Sequence, residues 1–176
     1  MSRSRILAAM AAGALFAVAL LHEKTPWLVW NVSPSVPPGL YRIELGPFRR
    51  GDLVLIRLAS DVAELAAKRH YLPKSTYLIK FVSAVAGDQV CRLGDRIFVG
   101  GVLAARALAR DGLGRPMPSW QGCRQLASGD LFLLADDQQS FDSRYFGVVS
   151  VRDVVGRAVP LWPPRGRSLP TLRAIR

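Results

Sequence analysis

The sequence predicts a mainly β domain with one small helical insertion, preceded by one N-terminal transmembrane helix. Three features predict it: a charge-free apolar run at residues 6–21, several short apolar runs that follow Gly-Asp pairs, and glycine turns between them. After the first run, the 176-residue chain has room for one domain of about 140 residues. We divide the chain into a stub and membrane anchor at 1–24, one exported domain at 25–162, and a basic, proline-containing tail at 163–176.

The N-terminal run is short for a membrane anchor. Its sixteen residues span about 24 Å as a helix, against about 30 Å of hydrocarbon core, so the helix must continue beyond the run. Arg3 and Arg5 precede it, which predicts a cytoplasmic amino end, and Trp27 and Trp30 follow at interface depth. We expect a single-pass protein of the inner membrane with its domain in the periplasm. A cleaved signal peptide and a buried soluble helix are the alternatives.

Short strands are predicted along the rest of the chain. Apolar runs begin after Gly-Asp pairs at 51–52, 87–88 and 129–130. The pairs at 94–95 and 100–101 separate further short runs, as hairpin turns do. This spacing is typical of an antiparallel sheet.

One helix is predicted at residues 62–70. Asp61 precedes it as a candidate N-cap, and Glu64 follows three residues later, as in a capping box. Residues 111–122 contain three glycines and two prolines, which predicts a loop.

The formal charge of +11 raises the question of a nucleic-acid partner. The basic residues are scattered, and no recognition motif accompanies them. We therefore expect no nucleic-acid partner. The charge favours attraction to anionic membrane lipid or to an acidic partner.

Two cysteines, Cys91 and Cys123, are consistent with export. If they pair in an oxidising compartment, they close a loop worth about 3.7 kcal/mol in the chain-entropy treatment. The alternative is two buried free thiols. The sequence has neither a CxxC motif nor a Cys/His cluster, so we expect no metal site and no cofactor.

Lys80 stands inside the apolar run TYLIKFV. On a strand, it shares one face with Leu78 and Val82. A lysine accepts a proton from a serine hydroxyl only when it is neutral, and burial favours the neutral form. Lys80 is therefore a candidate general base. An edge-strand lysine that reaches solvent is the alternative.

Ser35 lies among prolines in NVSPSVPPGLY, which can hold its hydroxyl in a fixed position. A serine becomes a nucleophile when a neighbouring base takes its proton. Ser33, two residues earlier, can direct its hydroxyl at a developing oxyanion together with the N–H group of Ser35. Ser33 is equally explained as a plain turn residue.

A third segment, ADDQQSFDSRYFG, contains Ser140, Asp142 and Arg144. Asp142 is a candidate catalytic residue that can pair with Arg144 and thereby fix the loop. Ser140 can hydrogen-bond an amine on a neighbouring strand. Structural pairing alone would also explain an Asp-Ser-Arg sequence.

Taken in order, these segments resemble the boxes of the membrane-bound Ser–Lys signal peptidases, and among them the TraF-type conjugative-transfer peptidases. The similarity covers most of the chain, from about residue 31 to residue 158. Val36 replaces the methionine that follows the nucleophile in signal peptidases, and residues 135–139 depart from the usual start of the late box. The matching positions are Ser33, Ser35, Pro38, Tyr77, Lys80, Gly87, Asp88, Ser140, Asp142, Ser143, Arg144, Tyr145, Gly147 and residues 155–158.

The resemblance implies a folded-sheet or barrel domain of the signal peptidase type. It implies a serine peptidase in which Ser35 attacks, Lys80 is the base and Ser33 supports the oxyanion. Ser140 and Asp142 would organise the site, with Arg144 in support. The implied substrate is a conjugative pilin precursor, which TraF-type enzymes cut and join end to end. Other components of the conjugation machinery are further implied partners.

Two other functions remain open. A general type I signal peptidase for secreted proteins would use the same residues. A non-catalytic, membrane-tethered scaffold of a conjugation or secretion channel would not: it predicts a charged, exposed Lys80 whose nitrogen lies more than about 6 Å from the hydroxyl of Ser35.

Overall fold

Two antiparallel sheets make up most of a computed structural model, which describes residues 25–74 and 76–162. The prediction of a mainly β domain with few helices is confirmed. The predicted anchor at 6–21 and the tail at 163–176 lie outside the described residues. Within the described ranges, no helix has the length and apolar character needed to cross a membrane.

The first sheet has seven strands in this part of the chain. They are β1 (Leu28–Asn31), β2 (Gly39–Glu44), β3 (Leu53–Arg57), β4 (Tyr77–Ala84), β9 (Asp130–Leu134), β10 (Val149–Ser150) and β11 (Val154–Trp162). Across the sheet their order is β1-β2-β11-β3-β4-β9-β10.

The second sheet has four strands among the described residues. They are β5 (Gln89–Leu93), β6 (Arg96–Val99), β7 (Val102–Arg106) and β8 (Gly122–Gln125), in the order β7-β6-β5-β8. The turns predicted at 94–95 and 100–101 join β5 to β6 and β6 to β7. Gly94 has φ 64°, in the left-handed region that glycine enters without a steric penalty. The predicted loop at 111–122 is free of strands until β8 begins at its last residue.

Two short α-helices, α1 (Ser60–Lys68) and α2 (Ser143–Phe146), accompany the sheets in the described part of the chain. The predicted boundaries of α1 are wrong by two residues at each end. Its N-cap position is held by Ala59, and no side chain caps it there. Asp61 instead lies in the first turn, where a negative charge still interacts favourably with the helix dipole.

β3 and β4 are apolar along almost their whole length because both faces of the sheet are covered. One face packs against α1, where Ala63 and Ala66 join the core. The other face packs against β2 and the segment before it, including Val36 and Tyr41. β4 lies between β3 and β9, so a polar side chain on it is held in the centre of the domain.

The disulfide expected between Cys91 and Cys123 is present. The two residues face each other across the antiparallel pair of β5 and β8. The bond therefore joins the start of the second sheet to the strand that ends the 111–122 loop.

Gly156 on β11 lies in close contact with β2. It lies where the pairing of β11 with β3 shifts register. A Cβ atom at this position would lie 2.8 Å from the carbonyl oxygen of Glu44 and 2.8 Å from Cγ2 of Ile43. β11 packs this closely on β2 because glycine has no Cβ atom, and any other residue here would force the two strands to shift.

Gly156→Ala is expected to lower the free energy of unfolding by about 1–3 kcal/mol, because the added methyl group overpacks the sheet. Urea unfolding of the purified domain measures this change. Gly112→Ala is the matched control, since a Cβ there meets nothing within 4 Å and its backbone is not left-handed. We expect a change within about 0.5 kcal/mol for the control. Equal losses in the two variants would contradict the packing explanation.

Candidate active site

Ser35 lies in the loop between β1 and β2 and is 9% exposed. The loop is held by side chains at both of its ends. The hydroxyl of Tyr41 donates to the carbonyl oxygen of Pro37 at 2.6 Å. Nδ2 of Asn31 lies within hydrogen-bonding distance of three carbonyl oxygens, those of Ser33, Val36 and Pro37. The Ser35 hydroxyl is therefore presented by a backbone with little freedom.

Lys80 projects from the centre of β4 and is 2% exposed. Its Nζ atom lies 3.0 Å from Oγ of Ser35 and 2.6 Å from Oγ of Ser140. A neutral amine has two N–H groups and one lone pair. It can donate to Ser140 while its lone pair accepts the hydroxyl proton of Ser35. This arrangement is what a lysine general base needs.

Burial lowers the pKa of Lys80 from 10.5 to about 8, because the charged amine loses its water. The carboxylates of Asp142 and Asp137 act in the opposite direction and favour the charged form. A substantial fraction of Lys80 is consequently neutral near pH 8, where an ordinary lysine is almost wholly charged.

Ser33 contacts the Ser35 hydroxyl directly. Their Oγ atoms are 2.6 Å apart, and the N–H group of Ser35 donates to Oγ of Ser33 at 3.3 Å. Asn31 holds Ser33 from the other side, because its Oδ1 accepts from the N–H group of Ser33 at 3.1 Å. The backbone N–H of Ser35 and the hydroxyl of Ser33 thus lie next to the oxygen that would attack a carbonyl.

Ser140 is presented by a tight turn built on Asp137. The carbonyl oxygen of Asp137 accepts from the N–H group of Ser140 at 3.1 Å. Its carboxylate Oδ1 accepts from the N–H group of Gln139 at 2.8 Å, which is an Asx turn. Neither Asp137 nor Asn31 was predicted from the sequence to have a role in the site. Each side chain bonds the N–H group two residues later. An Asn or Asp at such a position in a loop is too common in sequences for either residue to be singled out.

Asp142 and Arg144 form a fully buried ion pair with side chains 0% and 1% exposed. Oδ1 of Asp142 accepts from Nε and the backbone N–H of Arg144 at 2.8 and 3.1 Å. Oδ2 accepts from Nη2 of Arg144 and from the N–H group of Ala135, both at 3.0 Å. Asp142 is also the N-cap of α2. These bonds tie the start of α2 to the end of β9.

Burial raises the pKa of Asp142 above its ordinary value, and the guanidinium of Arg144 opposes that change. All four bonds to the carboxylate come from N–H donors. A proton on either oxygen would displace one of them, so we assign the ionised form at neutral pH. The hydrogen-bond partners of the Asp142 carboxylate all belong to its own loop. The residue of this loop that contacts the amine of Lys80 is Ser140.

Arg144 is held by more than its partner aspartate. Its guanidinium donates to carbonyl oxygens at the end of β9, in the Asp137 turn and on β7: those of Ala135, Gln138 and Arg106. Its own carbonyl oxygen accepts from Nη1 of Arg92, on β5, at 2.6 Å. Arg144 therefore connects the loop of Ser140 to the second sheet.

The structure brings together Ser33, Ser35, Lys80 and Ser140 in one chain of contacts, with Asp142 and Arg144 supporting the loop behind it. Cys91 and Cys123 form a structural disulfide on the second sheet. No group of three or more His, Cys, Asp or Glu side chains in residues 25–74 and 76–162 is placed to hold a metal ion.

The chain is similar in sequence to a known protein family. A family model described as signal peptidase, peptidase S26, matches residues 2–162. The chain belongs to the signal peptidase family. Membership gives it a peptidase function of the signal peptidase type.

Relatives within the family are conjugal transfer proteins. The conjugal transfer protein TraF of Agrobacterium fabrum is 36% identical over 143 residues, which cover 75% of this chain and 80% of that protein. The plasmid transfer protein TraF of Escherichia coli is 31% identical over 177 residues, covering 90% of this chain and 99% of that protein. A crystal structure of a signal peptidase I from Enterococcus faecalis aligns with a TM-score of 0.39 and 18% identity, covering 65% of this chain and 98% of that one.

Lys80→Met is expected to raise the free energy of unfolding at pH 7 by up to about 3 kcal/mol, the cost of burying the charged amine. The gain should shrink as pH rises. Between pH 8 and 10.5 the unfolded chain binds more protons than the folded one, so the native protein gains stability with pH and the variant does not.

Urea unfolding at pH 7 and pH 10 measures this difference. Lys68→Met, at an exposed position of α1, is the matched control and should show no such pH dependence. The free energies of unfolding of Lys80→Met and of the native protein should differ less at pH 10 than at pH 7. The same difference at both pH values would contradict a depressed pKa for Lys80.

Proposed function

We propose that this protein is a membrane-anchored serine endopeptidase with a Ser–Lys dyad that processes a conjugative pilin precursor in the periplasm. One observation carries the assignment of the dyad: the buried Nζ of Lys80 lies 3.0 Å from Oγ of Ser35. A buried lysine in contact with a serine hydroxyl is costly for a fold and is the arrangement that activates such a hydroxyl.

The contacts support the following reaction. Lys80 takes the hydroxyl proton as Oγ of Ser35 attacks the scissile carbonyl carbon, and the carbonyl oxygen becomes an oxyanion. The N–H group of Ser35 and the hydroxyl of Ser33 stabilise it, once the Ser33 hydroxyl turns from Ser35 toward the substrate. The protonated Lys80 then gives its proton to the departing amine, which leaves an acyl-enzyme ester on Ser35.

Ser140 and the Asp142–Arg144 pair support this reaction. Ser140 accepts from Lys80 in every step, which holds the amine toward Ser35. The pair fixes the backbone of the Ser140 loop through its bonds to the end of β9. In this proposal Asp142 acts by positioning and by its charge, since it favours the protonated form of Lys80 after the attack.

The substrate assignment rests on the relatives. Several of them are named conjugal or plasmid transfer proteins, which fits the conjugative pilin precursor that the TraF-type resemblance implies. A membrane location fits the exposed Trp27 and Trp30 at the start of the described domain. Anionic lipid and other components of the conjugation machinery are the further partners that we propose. The same dyad would serve a general signal peptidase for secreted proteins, so the substrate needs its own test.

Ser35→Ala and Lys80→Ala are each expected to lower kcat/KM for precursor cleavage by at least about 1,000-fold, because they remove the nucleophile and its base. In the native enzyme kcat/KM should rise with pH and level off above about 8, as Lys80 loses its proton. Lys68→Ala is the control with an exposed lysine. Cleavage by both dyad variants at the native rate would refute the assignment.

The fate of the acyl-enzyme separates ring closure from hydrolysis. If the amino terminus of the same substrate attacks the ester, an amide forms, Ser35 is released and no water is consumed. Co-expression with candidate pilin precursors and intact-mass measurement then gives a product lighter by one water than the linear cleaved chain. A product at the linear mass indicates hydrolysis, and cleavage of general secretory precursors instead of pilin would favour the housekeeping function.

A further inference from the structure

A cavity of about 690 Å³ lies beside the candidate active site, with walls from both sheets. It has the size of sites that bind small molecules or short peptide segments. Neither Ser35, Lys80 nor Ser140 lines it. Its lining includes Ser83 on β4 and Ala135 at the end of β9, so it adjoins the strand and the loop that carry the site.

One wall of the cavity is the whole of β7, from Val102 to Arg106. β7 is an edge strand of the second sheet and pairs only with β6 in the described part of the chain. An edge strand offers a row of backbone N–H and C=O groups to which an extended peptide can add as a further strand. Val102 and Leu103 are 43% and 47% exposed, which adds apolar surface beside that edge.

Ser83 supplies a second indication of a ligand. Its side chain is 8% exposed and lines the cavity. Its Oγ atom has no hydrogen-bond partner among the described residues, alone among their buried side-chain nitrogen and oxygen atoms. A buried polar atom without a partner costs desolvation free energy that nothing in the fold returns. If the Ser83 side chain rotates toward the cavity, a peptide lying there would supply the missing bond.

The charges around the cavity favour a cationic ligand. Each arginine of the lining is already paired with an aspartate: Arg50 with Asp88, Arg106 with Asp95 and Arg144 with Asp142. Asp136, which also lines the cavity, is exposed and forms no ion pair in the described part of the chain. Asp136 is therefore the charged residue of the lining without an ion-pair contact in that part of the chain, and the guanidinium of Arg144 acts on it only from beyond contact distance.

We propose that this cavity is a second substrate-binding site, which takes an extended, apolar segment of the precursor and places a cationic group of that segment against Asp136. The inference rests on the proposed function, because the ligand is the substrate of the same dyad. Ser83 lies three residues from Lys80 along β4, or about 10 Å. Gln138, which also lines the cavity, lies two residues from Ser140, so an extended segment of a few residues is long enough to reach from the cavity to the dyad.

The test uses the full-length Ser35→Ala protein, which lacks the proposed nucleophile, and three fluorescein-labelled peptides. Each has five alternating valine and threonine residues and ends in lysine, norleucine or glutamate. Fluorescence anisotropy should show the lysine peptide binding at least about threefold more tightly than the norleucine peptide, since an exposed ion pair contributes modestly. The glutamate peptide should bind most weakly. Equal affinities for all three peptides, or no binding by any, would overturn the proposal.

Three substitutions in the same background locate the binding. Asp136→Asn should abolish the preference for lysine and leave the norleucine peptide unaffected. Ser83→Ala should lower the affinity for all three peptides by about 2- to 10-fold. It should not lower the free energy of unfolding, because it removes a hydroxyl that has no partner among the described residues. Ala104→Trp should block the cavity, whereas Leu93→Trp, at an exposed position of the same sheet outside the lining, is its control. Native affinity in both Ser83→Ala and Ala104→Trp would place the peptide elsewhere.

Precursor processing separates the two proposals. If Ser35→Ala still cleaves, the proposed function fails, whatever the peptides do. If cleavage requires Ser35 but Ala104→Trp has native kcat/KM for the precursor, only the inference about the cavity fails. We expect Ala104→Trp to raise KM at least about fivefold with kcat less affected, since the cavity contributes binding rather than chemistry.

Discussion

The amine of Lys80 lies on an inner strand of a sheet that is covered on both faces, and the rest of the site is arranged around it. Water is excluded because β3 and β9 flank β4 and apolar side chains pack above and below. Burial at this position costs about 3 kcal/mol at neutral pH. Favourable interactions elsewhere in the fold offset that cost. Because the buried amine is partly neutral, it can accept a proton. Two serine hydroxyls provide the only direct polar contacts of Nζ among the described residues.

The loop after β9 must be rigid, because it holds Ser140 against the amine of Lys80. Its rigidity comes from a buried carboxylate and a buried guanidinium that satisfy each other and the surrounding backbone. Such a pair adds little net stability, since desolvation offsets most of the attraction, but loss of either member leaves a buried charge uncompensated. This dependence on both members suits a segment whose function is to hold one geometry.

The chemical roles in the site could be proposed from the sequence, because few residue types can serve as a nucleophile or a base. Lys80 inside an apolar strand and Ser35 among prolines were both informative for that reason. The 3.0 Å contact between them could not be derived, since 45 residues separate them and the register of the sheet decides their distance. The same contact is not what a scaffold protein with an exposed, charged Lys80 predicts.

Local hydrogen bonding was the least predictable level. Asn31 and Asp137 each hold a loop by bonds to backbone groups two or more residues away, and that choice depends on loop geometry, not on composition. The start of α1 was missed because Ala59, which cannot cap a helix with its side chain, occupies the cap position. The strands and hairpin turns of the second sheet were easier, since Gly-Asp and Gly-Gly pairs strongly favour tight turns.

The position of Arg92 has a practical consequence for anyone who prepares this protein. Arg92 directly follows Cys91 on β5. This strand is therefore bonded covalently to Cys123 and also donates a hydrogen bond to the carbonyl oxygen of Arg144. Material produced in a thiol-rich cytosol begins without that tether, and the strand beneath the Ser140 loop is then less restrained. Folding in an oxidising host compartment, or air oxidation checked by a free-thiol assay, should precede any kinetic comparison of batches.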